Sequence, residues 1–178
     1  ERRTNAPADG SGVFQSTLDD QRKFIADEAA KIKDPIARKK YEADMLKRVV
    51  PYAQDNIKFE AEQKQLFVGQ QIDASLTTLE NTIRSNPEAH KNVWIEGNAL
   101  IEGNKDLPAY ARRAAKKTWE QRSAFAHFNG MLERAASPEE FDAIQAELNK
   151  PIWQQRLTPE GFNAVQSYTV ATSMHDTF

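Results

Sequence analysis

Three histidines, His90, His127 and His175, are the only side chains here that titrate near neutrality. None stands four residues from another or in an HExxH pattern, so no helical zinc pair is expected. His90, four residues before Trp94, reads as a packing residue, and His127 as lying on the polar side of its helix. Acids recur in pairs at Asp19/Asp20, Glu60/Glu62 and Glu139/Glu140. Acid–base work needs two carboxylates set across a cleft, one of them desolvated, and nothing around these pairs supplies an apolar pocket. The seven glycines are dispersed, with no phosphate loop, and no calcium loop occurs. There is no cysteine, which removes thiol nucleophiles, disulfides and cysteine-held metals. No catalytic constellation, metal site or cofactor is therefore expected in this chain.

One charge cluster stands out. Arg112, Arg113, Lys116 and Lys117, with Arg122 beyond, cover about 140° of a helix, bordered by Trp119. Such a face suits phosphate backbone, anionic lipid or an acidic partner helix, with Trp119 stacking or wedging. It suits equally a solvated face balanced by acids on neighbouring helices. The chain as a whole has 24 Lys plus Arg against 26 Asp plus Glu, so any DNA contact would be weak.

The elements that position these residues read as helices. Asp34-Pro35, Asn86-Pro87, Ser137-Pro138 and Thr158-Pro159 each set a capping side chain before a proline suited to the first helical turn. Ser137 with Glu140 makes a capping box. Leu107-Pro108 is a looser start, and Gly103-Asn104 a plausible stop. These marks predict helices over 16–33, 35–84, 87–102, 107–136, 138–149 and 159–175. Pro51 is expected to kink or break the second and act as a hinge, and Pro151 to close the fifth. Residues 1–15 carry Pro, Gly, Ser and Asp without periodicity and read as an extended tail, ordered only if something else holds it.

Apolar periodicity supports the helices. Ile57, Ala61, Val68, Ile72, Leu76, Leu79 and Ile83 share a face, as do Leu107, Phe125, Phe128 and Leu132; Phe141, Ile144 and Leu148, then Phe162, Val165 and Thr169, form shorter stripes. No stretch alternates long enough for a strand. The expected fold is all-α: an antiparallel bundle or elongated array of helical hairpins over 16–178, with helix 52–84 as spine and helices 107–136 and 138–149 packed on it. Phe59, Leu66 and Trp119 fall off the main stripes. Either further helices cover them or they are contacts between subunits. No apolar run reaches the ~20 residues of a membrane span, and no signal peptide is visible at Glu1-Arg2-Arg3. A chain opening on Glu is expected to be a piece of something longer.

From about residue 70 the order of phrases carries a resemblance. Leu76-Thr77-Thr78-Leu79-Glu80 leads to Ser85-Asn86-Pro87-Glu88-Ala89, then to Ile95-Glu96-Gly97-Asn98 and Ile101-Glu102-Gly103-Asn104. Ala111-Arg112-Arg113-Ala114 follows, then Ser137-Pro138-Glu139-Glu140-Phe141 and Trp153-Gln154-Gln155-Arg156. Over about 100 residues this resembles the helical stretches of large tailed-phage virion proteins, the internal ejection proteins and tail-associated lysins. The resemblance implies a non-catalytic segment assembled in many copies with itself or other virion proteins, located in the virion and delivered into the host envelope with the genome. It transfers no catalytic residue: the Glu-Ser dipeptide and Gly-Leu-Met-Gln-like run of lytic transglycosylases are absent. Other readings stay open: a helical module positioning a cell-wall hydrolase, a nucleic-acid-contacting protein using the Arg112–Lys117 face, or a generic helical adaptor.

Overall fold

The computed structural model describes residues 3–175, with side chains to residue 170. Among them the fold is all-α. The helices are α1 (Val13–Ala30), α2 (Pro35–Ser85), a 3₁₀ turn (Pro87–Ala89), α3 (His90–Gly103), α4 (Ala109–Arg134), α5 (Pro138–Leu148), α6 (Pro151–Arg156) and α7 (Pro159–His175). The chain divides into two compact units, residues 1–70 and 71–178. The division falls inside α2 rather than at Pro51. The helix runs on through Pro51 without a break. Proline deletes one backbone bond, but Pro51 and Lys47, whose carbonyl loses its partner, are both exposed to water.

In the first unit α1 and the start of α2 form an antiparallel hairpin. Asp34 caps α2, its Oδ1 accepting from the Ile36 and Ala37 amides at 2.7 and 3.2 Å. At the other end the Phe14 amide donates to Glu60 Oε1 at 2.7 Å. The segment expected as an extended tail is instead folded in turns against α2. Arg3 donates twice to the buried Asn56 Oδ1, at 2.9 and 3.2 Å, and its guanidinium lies 5.2 Å from the Phe59 ring centre. Gly10 is buried at φ +73°, where a Cβ would come within 2.7 Å of Gln63. Polar bonds and one close backbone approach thus hold a segment with few apolar groups. Glu1 and Arg2 lie outside the described residues.

In the second unit the hub is α4. Between Trp119 and Leu132 no residue of α4 is fully exposed. Ala124, Phe128 and Leu132 meet Phe141, Ile144 and Leu148 of α5, Trp153 of α6, Leu157, and Val165 of α7 in one core. The residue 71–85 part of α2 lies along α4. Arg122 reaches Asp73 at 2.5 Å, Thr77 at 2.8 Å and Glu80 at 2.7 Å, and Arg84 pairs with Glu133. Gly130 makes the approach possible, since a Cβ there would stand 2.3 Å from the Arg84 carbonyl oxygen. Pro151 does not merely end α5. It opens α6, a one-and-a-half-turn helix that sequence periodicity is too short to reveal.

Candidate protein-interaction surfaces

The sequence-marked residues fall in very different surroundings. Trp119 is fully buried, which corrects its reading as a docking point. Its indole lies flat against Gly97 of α3, where the missing side chain leaves room, and Nε1 donates to the Trp94 carbonyl at 3.1 Å. It faces away from the Phe125 stripe because α4 is covered on more than one side: α3 takes the Trp119 side, while α5 and α7 take the Phe128 side.

The cationic face is also partly consumed. Arg112 Nη1 donates to the Leu107 carbonyl at 2.6 Å and so closes the α3–α4 turn. Lys116 pairs with Glu102 of α3. Only Arg113 and Lys117 remain exposed without an ion pair among the described residues. Two cations one helical turn apart make a weaker phosphate grip than the four expected.

His90 and His127, 37 positions apart in the chain, are brought together. Their ring centres lie 5.0 Å apart, and His127 stacks on Trp153 at 4.9 Å with 13° between planes. His127 is therefore not on a polar side, as expected, but half-buried among aromatics. Its Nδ1–H donates to the Pro87 carbonyl at 2.9 Å. His90 is a buried packing residue, as the sequence suggests. Burial, then the neighbouring His127 and Arg156, push its pKa down to about 4; burial also lowers that of His127. Arg156 of α6 lies 4.5 Å from the Trp94 ring centre and 3.6 Å from Glu120, and Trp153 Nε1 donates to Glu147 at 2.8 Å. His90 Nε2 and Trp94 Nε1 are buried without hydrogen-bond partners among the described residues. The cluster holds α3, α4, α5 and α6 together with both imidazoles neutral. Beside it a groove of about 350 Å³ runs between α4 and α5, lined by His127, Met131, Glu140 and Ile144 among others. The described residues contain no group of three or more His, Asp or Glu arranged to hold a metal. The side chain of His175 lies outside the described residues.

The first unit presents the open apolar surface. Leu66 is 60% exposed, whereas Phe59 is half-covered by Arg3. Ile57 and Ala61, expected on the buried stripe with Val68 and Ile72, are exposed, while Val68, Ile72, Leu76 and Ile83 are buried. The stripe is real, but among the described residues its N-terminal part has nothing over it. On another flank of the hairpin, Phe24, Ile25, Met45, Val49 and Tyr52 line a groove of about 470 Å³. Sequence reasoning missed this groove because it is made by pairing two helices, each of which is amphipathic by itself. No described helix is long and apolar enough to cross a membrane. No protein-family model, curated protein or solved structure matches the chain.

Proposed function

We propose that this chain is a non-catalytic assembly segment of a tailed-phage virion protein, of the internal ejection or tail-associated kind, acting in genome delivery. One observation carries the assembly part. Among the described residues the first unit buries only Val13, Ile25, Ala29 and Val68 as apolar core, while Ile36, Leu46, Val50, Tyr52 and Ile57 remain about half or more exposed. A hairpin with so small a core is marginal alone, and this much exposed large apolar side chain on one helix marks protein contact. The phage part rests on the resemblance of the phrases from residue 70 onward. In that setting the partners are further copies or other virion proteins, with Arg113 and Lys117 left for weak DNA contact.

The test is mass spectrometry of purified particles from a culture producing this gene. Recovery in the particles at several copies each is expected. Absence from particles, with the chain found instead attached to a free cell-wall hydrolase, would replace this reading by that of a positioning module.

A further inference from the structure

We infer that the outer face of α2 over residues 36–57 is a two-stranded coiled-coil seam that pairs, parallel and in register, with a second copy of this chain. The inference rests on the assembly reading above and names its surface. Counting in heptads, Ile36, Ala43, Val50 and Ile57 take the a positions, and Leu46 and Ala53 take d. The spacing alternates three and four residues, the 3.5-residue period that keeps one stripe facing a partner helix. Three of the four a positions, Ile36, Val50 and Ile57, are β-branched and Leu46 stands at the central d, which leans towards the two-stranded combination. Lys39 occupies the remaining d position near the start of the seam, where a long side chain can carry its ammonium out to water.

These side chains face solvent. Ile36 is 82% exposed, Leu46 48%, Val50 52% and Ile57 51%. The adjoining face of α2 is already used, since Asn56, Phe59, Glu60 and Gln63 meet residues 3–14. The seam is thus a second apolar face on one helix, with no occupant from within the first unit.

Charge and area both favour a second copy. In a parallel pair, a g residue faces the e residue five positions on in the other helix. Glu42 at g then meets Lys47 of the partner subunit at e, once on each side of the dyad. Lys47 is available, since its own ion pair with Asp44 is long, 3.9 Å, and exposed. A 22-residue seam is about 33 Å long. Two such faces bury on the order of 1,200 Å² in total, at the lower edge of specific stable interfaces, so a reversible dimer is expected.

The full chain has no cysteine, so an introduced thiol is unique. Val50→Cys sits mid-seam, while Lys58→Cys is exposed on a different face of the same helix. Treated with a short bis-maleimide, Val50→Cys is expected to link into dimers and Lys58→Cys to stay monomeric. Adding Leu46→Glu and Ile57→Glu to Val50→Cys should cut the linked fraction at least about tenfold, because charges would be buried without partners. Circular dichroism is the control, with helix content expected to stay intact in each variant. Failure of Val50→Cys to link, or equal linking of Lys58→Cys, overturns the inference. Sedimentation of the unaltered chain then separates the two claims. A mass that rises with concentration without linking at Val50→Cys means assembly uses another face; a constant monomer mass removes self-assembly as well.

Discussion

Replacing Gly97 with alanine pushes a methyl group into the indole of Trp119. The new Cβ would stand 2.3 Å from Cε2 and Nε1 and 2.7 Å from Cζ2, whereas carbon atoms rest at about 3.5–4 Å. The ring must therefore move by more than about 1 Å, yet it is fully buried and its Nε1 is held by the Trp94 carbonyl. Overpacking of this kind costs about 1–3 kcal/mol, and loss of the indole hydrogen bond about 1 kcal/mol. The better helix propensity of alanine returns about 1 kcal/mol. The net loss is about 2 kcal/mol, which lowers the Tm of a unit of this size by roughly 10 °C. All three tryptophans, Trp94, Trp119 and Trp153, lie in the second unit, so tryptophan fluorescence, excited selectively over tyrosine, reports that unit alone during heating. Gly69→Ala is the control: it is helical with nothing within 4 Å of a Cβ, and should leave this transition in place. A Gly97→Ala chain melting at or above the unaltered temperature would refute the packing of Trp119 on α3.

Three further outcomes are expected of the second unit. Gly130→Ala should destabilise more than Gly97→Ala, by about 3 kcal/mol, since its Cβ would meet the Arg84 backbone carbonyl, which cannot rotate aside; urea unfolding measures it. Ser137→Ala removes the side chain that accepts from the Glu140 amide at 3.3 Å and should cost about 1 kcal/mol in the same assay. His90 makes stability fall in acid. Its folded pKa of about 4 lies below the ordinary 6.5, so the unfolded chain binds more protons between those values. Stability is full above pH 6.5 and is lost as pH falls towards 4, by about 3 kcal/mol at the limit. His127 adds in the same direction. Unfolding titrations of the unaltered chain against His90→Leu should show a shallower acid loss in the variant; an unchanged slope would contradict the burial of His90.

Much of the helical frame was legible because it is written in local chemistry. Asp34, Ser137 and Thr158 each cap a helix through a side-chain oxygen, the last by accepting from the Gly161 amide at 3.0 Å. Asn86 is a partial exception, its proline opening a 3₁₀ turn with no side-chain cap bond. Gly103-Asn104 does end α3, but Asn104 is extended rather than left-handed. The stripes at Phe141, Ile144 and Leu148, and at Val165 and Thr169, are buried as their period implies. What sequence periodicity lacks is knowledge of what lies opposite. Ile57 and Ile72 are equivalent on a helical wheel, but only Ile72 is covered. Trp119 looked spare because a helix at the centre of a bundle is covered beyond its strongest stripe. The pairing of His90 with His127, and the Arg156 contacts to Trp94 and Glu120, depend on three separate helices and leave no mark on local spacing.

The most direct measurement of the assembly claim is sedimentation equilibrium of the full chain across a wide concentration range. Assembly through the exposed face of α2 requires an average mass that climbs above 20.2 kDa with concentration and returns to it on dilution. A mass fixed at 20.2 kDa throughout would contradict it.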